Sequence, residues 1–251
     1  TARALAPLVA ACAGAWAPIQ VDGVPVSPWA AFSVAPGQIV NIGAPVWGMR
    51  LYLAVGGGIA AQPVMGSVST YIRGALGGID GQGRALRAGD IITTPDPPAS
   101  PRAPVAPAGS VTARAVAALA KRQSALASAG RAMAVRVVMG PQDDHFRDAG
   151  RRTFATEEFT LTGKADRMGL RFEGPAIEHA RGADIISDGM PPGAIQVPGD
   201  GLPIIMLADR QTTGGYPKIA CVARADLDLL AHMRPGDRVR LARRAPITPW
   251  H

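Results

Sequence analysis

Two short apolar runs, Pro203-Ile204-Ile205-Met206-Leu207 and Ile219-Ala220-Cys221-Val222, have the length and composition of buried strands. Between them lies a stretch of a different kind, Ala208-Asp209-Arg210-Gln211-Thr212-Thr213-Gly214-Gly215-Tyr216-Pro217-Lys218. Its paired glycines permit positive φ and close backbone approach, and Pro217 fixes φ and removes a donor. Such a loop can present Asp209, Arg210, Gln211, Thr212, Thr213, Tyr216 and Lys218 to one small polar ligand. It reads equally as a strand-to-strand turn with solvated charges.

The same pattern assigns other elements. Leu5 to Ala17 has the apolarity of a signal core, but Pro7 breaks it and it is too short to span a bilayer, so it reads as a buried strand. Residues 8–43 read as short strands and turns, with an Asp22-Gly23 turn and a Pro36-Gly37 turn. Residues 46–55 alternate partially and predict a strand. Gly56-Gly57-Gly58 lacks the Lys-Ser/Thr continuation of a phosphate-binding loop and reads as a turn. Val135-Arg136-Val137-Val138 predicts the first strand of a second half. Leu227, Leu230 and Ala231 predict a short helix over Asp226–His232.

Two turns echo each other. Arg87-Ala88-Gly89-Asp90 in the first half matches Arg234-Pro235-Gly236-Asp237 in the second. Tyr71-Ile72-Arg73 likewise matches Tyr216-Pro217-Lys218, at nearly the same separation. An internal duplication follows, with residues 1–94 as a first β domain and 131–246 as a second. Residues 95–130 read as a Pro/Ala-rich linker, extended where proline dominates. Residues 110–130 read as a helix or as a poorly ordered continuation.

Composition narrows the classes. Of 251 residues, 47% are hydrophobic and 18% charged, ample for a core, and 30 Gly with 23 Pro favour many short strands. The net charge of +7 raises nucleic acid as a partner, but aromatics are only 5% and no dense basic run or recognition motif is present. Scattered arginine with small anionic ligands is the reading; nucleic-acid and membrane roles are not expected. Cys12 and Cys221 sit in apolar runs and read as buried free thiols of a reducing, cytoplasmic compartment. No Cys/His spacing suggests a metal.

The candidate chemistry is dispersed. Asp143 and Asp144 precede His145, and a carboxylate beside a histidine can orient a general base. The same carboxylates can instead cap a helix at 146–150. Asp166-Arg167 reads as a turn or ion pair, or Arg167 holds a substrate carboxylate. Arg210 and Lys218 suit carboxylate or phosphate, and Gln196 and Gln211 suit an amide or ureido group. Thr212 and Thr213 add hydroxyls, and the Gly214-Gly215 amides can line an oxyanion site. Asp143, His145 and Asp209 are the catalytic candidates; Tyr71 and Arg73 join the binding set as counterparts of Tyr216 and Lys218. No P-loop, Met-Lys-Met biotin site, Gly-Ser-Ser-Gly stretch or Gly-x-Ser-x-Gly is present.

Five further stretches, in chain order, carry a resemblance: Trp47-Gly48-Met49-Arg50-Leu51-Tyr52-Leu53-Ala54-Val55-Gly56-Gly57-Gly58-Ile59, Gly66-Ser67-Val68-Ser69-Thr70-Tyr71-Ile72-Arg73, Gly140-Pro141-Gln142-Asp143-Asp144-His145-Phe146, Asp166-Arg167-Met168-Gly169-Leu170-Arg171 and Pro192-Gly193-Ala194-Ile195-Gln196-Val197-Pro198. With 208–218 they resemble the 5-oxoprolinase C-subunit family, also described as allophanate hydrolase subunit 2-like or biotin-dependent carboxyltransferase-like. The resemblance implies a mainly β chain of two cyclophilin-like β-barrel halves with few short helices. It implies a sister subunit of related fold (the B-subunit, allophanate hydrolase subunit 1-like) and a third, lactam-utilising subunit. Together they would open the lactam of 5-oxoproline to glutamate, with ATP used by the complex and no cofactor held by this chain. The alternatives are the carboxyltransferase part of a urea carboxylase, with biotin carried elsewhere, and a non-enzymatic regulatory module. The family's opening Asp-x-Gly-Arg element is absent, so the N-terminal part of the first barrel is expected to be missing.

Overall fold

A computed structural model describes residues 1–95 and 130–243. They form two compact units, residues 1–46 with 51–95, and residues 47–50 with 130–243. The expected linker, 95–130, falls almost wholly outside the described residues. The chain is mainly β, with two short α-helices among the described residues.

In the first unit, β1 (Ala2–Arg3), β6 (Ile39–Ile42), β3 (Ile19–Val21) and β4 (Val24–Val26) form one sheet in that order. A second sheet orders β5 (Ala31–Val34), β2 (Leu8–Trp16) and β7 (Trp47–Val55), of which residues 51–55 belong to this unit. The apolar run at the N-terminus is therefore a strand, as expected, and its Cys12 is fully buried. The Asp22-Gly23 turn joins β3 to β4 with positive φ at both residues, +47° and +80°, the two-residue hairpin geometry that matches strand twist. The core cluster is small: Ala4, Cys12, Ile19, Val21, Val34 and Val40. Many large apolar side chains over residues 49–92 stay exposed, Met65 at 99%.

The second unit closes. β8 (Met133–Met139), β9 (Glu158–Leu161), β10 (Gly169–Glu173), β12 (Ala194–Gln196), β13 (Ile204–Met206), β15 (Lys218–Val222) and β16 (Arg238–Arg243) make a seven-stranded barrel ordered β10-β13-β12-β15-β8-β16-β9. All neighbours are antiparallel except β16 with β8. Alternation sorts the faces: Val135 and Val137 on β8, Leu170 and Phe172 on β10, and Val239 and Leu241 on β16 point inward. A two-stranded ribbon, β11 (Asp188–Gly189) with β14 (Thr213–Gly214), lies outside the barrel ladder.

Both helices are displaced from their expected positions. Asp143–His145 form a 3-10 turn, and the helix α1 runs Asp148–Thr156 with Arg147 at its N-cap and no side-chain cap, so neither Asp143 nor Asp144 caps it. The second helix, α2, is Arg224–Leu230 and not 226–232. Its start is fixed by a buried tie: Asp226 accepts the backbone N–H of Arg136 at 2.8 Å and also pairs with the Arg136 guanidinium. That ion pair raises the Arg136 pKa above its ordinary value, by hydrogen bond first and charge second. Cys221 departs from expectation as well, being only partly buried where β15 turns it away from the core. Burial raises the pKa of both thiols.

The paired turns share one hydrogen-bond pattern. Asp90 N–H donates to Arg87 O, and Arg87 N–H donates to the Asp90 carboxylate. Asp237 and Arg234 repeat both bonds, and Gly89 and Gly236 take φ of +89° and +92°.

Candidate functional site

The most buried polar groups of the second unit meet beside the ribbon. Lys218 opens β15 directly opposite Gln196 on β12, where a bulge shifts the register between Ile195 and Gln196. The shift matters because a one-residue slip turns a side chain to the other face. Both residues are 3% exposed. Lys218 Nζ donates to Asp188 Oδ2 at 2.8 Å. Gln142 Nε2 donates to the same oxygen at 3.2 Å, and Gln142 Oε1 accepts the Lys218 backbone N–H at 3.2 Å. Gly189 N–H donates to Asp188 Oδ1 at 2.7 Å. The Lys218 ammonium first, then the Gly189 and Gln142 donors, hold the Asp188 carboxyl below the usual carboxylate range.

The surrounding backbone is packed to hold this arrangement. The ribbon pairs Asp188 with Gly214 and Gly189 with Thr213. It is lengthened by Met190 N–H to Thr212 O at 2.9 Å and Ile185 N–H to Gly215 O at 2.8 Å. Gly140, two residues before Gln142, donates to Ile219 O at 2.8 Å and lies so close that a Cβ there would sit 2.3 Å from Lys218 O. Gln196 Nε2 is buried and has no hydrogen-bond partner among the described residues.

The sequence-derived candidates divide. Lys218, Gln196 and Gly214 belong to this cluster, with Thr213 and Gly215 in the adjoining ribbon. Arg210 Nε donates to Met190 O at 2.7 Å and Nη1 reaches Leu207 O at 3.4 Å, so its guanidinium braces the loop against the ribbon. Arg167 and Asp209 form an ion pair at 2.7 Å with both partners partly exposed, and Asp166 accepts the backbone N–H groups of Met168 and Gly169. Gln211, Thr212 and Tyr216 are exposed. Asp143 and Asp144 make no hydrogen bond to the His145 ring among the described residues: Asp144 pairs with Arg181 at 3.0 Å, and His145 Nδ1 is buried without a partner. Tyr71 and Arg73 belong to the first unit, Tyr71 at the N-cap of a 3-10 turn, Ile72–Gly74, and Arg73 within it. Two members were not singled out from the sequence, Gln142 and Asp188. Gln142 adjoins Asp143 in a stretch that carried the resemblance, and Asp188 precedes a glycine in a region without periodicity.

Among the described residues no group of three or more His, Cys, Asp or Glu side chains comes together as a metal site, and no helix is long and apolar enough to cross a membrane.

Residues 1–243 match the family model described as carboxyltransferase domain, subdomain A and B. The chain belongs to this family. Within it, the 5-oxoprolinase C-subunit of Escherichia coli (strain K12) is 34% identical over 207 residues, 81% of this chain and 59% of that protein. The Haemophilus influenzae 5-oxoprolinase C-subunit is 32% identical over 227 residues, 90% of this chain and 66% of that one. The chain thus spans about three fifths to two thirds of the length of these relatives. Among solved structures, Kluyveromyces lactis urea carboxylase superposes with a TM-score of 0.77 at 25% identity, covering 94% of this chain and 21% of that one. TTHA0988 superposes with a TM-score of 0.67 at 30% identity, covering 96% and 42%. The cluster described above is therefore a feature of a carboxyltransferase-family barrel.

Proposed function

We propose that this chain is a subunit of an ATP-dependent 5-oxoprolinase-type complex, which opens the lactam of 5-oxoproline to glutamate together with a sister subunit of related fold and a lactam-utilising subunit. The observation that carries the reading is the buried Lys218 held by Asp188 and Gln142 beside the carboxamide of Gln196. A buried ammonium supplies charge for a substrate carboxylate or for an oxygen that gains charge as the amide carbonyl is attacked. Carboxamides recognise an amide through both donor and acceptor. The identity of 32–34% to relatives named as 5-oxoprolinase C-subunits supports the same reading. In it the chain binds no metal or nucleotide itself, works in the cytoplasm, and ATP is consumed by the assembled complex. Arg210 positions the loop, and the exposed Arg167 guanidinium, oriented by Asp209, is the group that meets the substrate's own carboxylate.

A second reading is favoured by one specific observation, the likeness to urea carboxylase at a TM-score of 0.77. There the chain would be a carboxyltransferase component accepting a carboxyl group from biotin carried on another chain and passing it to a urea-like acceptor.

The test is reconstitution. The chain is co-purified with its two candidate partners and assayed for ATP-dependent glutamate formation, with Lys218→Met and Arg210→Ala in parallel. Losing a charge-assisted contact of about 1.5–3 kcal/mol lowers turnover roughly 10- to 100-fold for Lys218→Met, with the complex still assembling. Biotin-dependent carboxylation of urea in place of 5-oxoproline turnover would replace the first reading by the second.

A further inference from the structure

We infer that the Gln196 amide and the Asp188 carboxylate act as a donor–acceptor pair that reads the cis-amide edge of a lactam or cyclic ureide, with Gly214 kept free of a side chain so that both reach the ligand. This rests on the reading that the chain handles small amides, and names what the site recognises. Three observations converge on Gly214. Asp188 is its partner across the ribbon. Gln196 Nε2 lies 2.6 Å from where a Gly214 Cβ would stand, and Met190 Cε lies 2.5 Å from it. The Gly214 backbone is not in the left-handed region, so what excludes a side chain here is space, occupied by the Gln196 amide.

The Gln196 amide is expensive to keep as it stands. Its residue is 3% exposed and Nε2 has no partner among the described residues, whereas a methionine would fill the same volume without burying an unpaired donor. The neighbouring Lys218 is charge-paired with Asp188, and Asp188, which already accepts from Lys218, Gln142 and Gly189, retains about one of its roughly four lone-pair sites for a further donor. A lactam presents one carbonyl acceptor and one N–H donor on the same edge. The Gln196 amide nitrogen donates to that carbonyl, and the Asp188 carboxylate accepts that N–H. An acyclic secondary amide holds these groups on opposite edges, since its bond is trans, and an ester or N-alkylated lactam lacks the donor. A site with buried hydrogen-bonding groups rejects such analogues strongly, because its own groups are left unpaired.

The experiment measures equilibrium binding of 5-oxoproline and of N-methyl-5-oxoproline to the full chain, alone and with its partner subunits, by calorimetry, and follows thermal unfolding of each variant. The wild type binds 5-oxoproline at least tenfold more tightly than the N-methyl compound. Gln196→Met loses at least tenfold in 5-oxoproline affinity while its Tm is unchanged or raised. Gly214→Ala, whose new methyl meets only the ends of two flexible side chains, folds with a similar Tm and loses affinity by displacing the amide. Equal binding of the two compounds overturns the acceptor role. Undiminished 5-oxoproline affinity in Gln196→Met overturns the donor role, as does a Tm fall of several degrees with affinity kept. A complex that lacks ATP-dependent turnover but binds 5-oxoproline through Gln196 refutes the proposed function and leaves this inference standing; turnover with a KM indifferent to Gln196→Met does the reverse.

Discussion

Gly140→Ala is expected to be among the most damaging single-methyl changes in the second unit. Gly140 follows β8 and carries the chain toward Gln142. A Cβ at this position would stand 2.3 Å from Lys218 O, 3.0 Å from Ala220 N and 3.1 Å from the Ile219 carbonyl carbon. All three atoms are backbone of β15, so no side-chain rotation relieves the contact; β8 and β15 must separate, although they are adjacent barrel strands. Overpacking of this kind costs about 1–3 kcal/mol, and the upper part of that range applies because the barrel wall has to yield. At roughly 2–4 °C per kcal/mol for a chain of this size, Tm falls by about 4–12 °C. The same movement draws Gln142 from Lys218 and Asp188, so binding is lost along with stability. The control is Gly163→Ala, at a turn glycine with open space around it and no left-handed φ. It should be neutral or gain about 0.4–1 kcal/mol from a less flexible unfolded chain. Urea unfolding of both variants decides the matter. Equal stabilities would refute the packing argument, and with it the view that Gly140 fixes the Gln142 contact.

Phe159→Ala empties a fully buried position of the barrel core and should cost about 3–5 kcal/mol in chemical denaturation. Asp226→Ala leaves the Arg136 backbone N–H unpaired, a loss of about 1–3 kcal/mol, and exchange of that amide should quicken. In the first unit Asp90 is held down to about 2 by the Arg84 guanidinium and the Arg87 amide. A depressed carboxylate contributes stability above its unfolded pKa of about 3.9 and loses it as pH falls through the folded value. Acid unfolding of this unit should therefore steepen between about pH 4 and 2, and Asp90→Asn should flatten that limb by removing the same contribution at neutral pH, so that the variant is less stable there and converges with the wild type in acid. Cys221, only partly buried, should react with a small thiol-alkylating reagent before Cys12, both slowly because their pKa values are raised; equal rates would contradict the burial assignment.

Local physics made much of the fold legible. Period-two alternation marks β8 around Val135 and Val137, and Asp22-Gly23 declares a two-residue hairpin whose φ values are those a type I′ turn requires. The matched Arg-x-Gly-Asp turns were visible as spacing and proved to share their hydrogen bonds. The helix signals misled because a cap is only one way to start a helix: Asp143 and Asp144 precede the 3-10 turn's end, and α1 begins after Arg147. At the site, Lys218 and Gln196 were visible as polar residues beside apolar runs. Asp188 was not, since its contact with Lys218 spans 30 residues and β11 is two residues long, too short for any periodicity. Gln142 reaches Lys218 across 76 residues. Partners of that kind are set by barrel closure, for which the parallel β8–β16 pairing leaves no local trace.

The most direct measurement is a crystal structure of the chain, in complex with its partner subunits, with 5-oxoproline bound. The account predicts the lactam at hydrogen-bonding distance from the Gln196 amide and the Asp188 carboxylate, with the Lys218 ammonium beside it. 5-Oxoproline seated elsewhere, with Lys218 and Asp188 still paired and Gln196 Nε2 still without a partner, would contradict it.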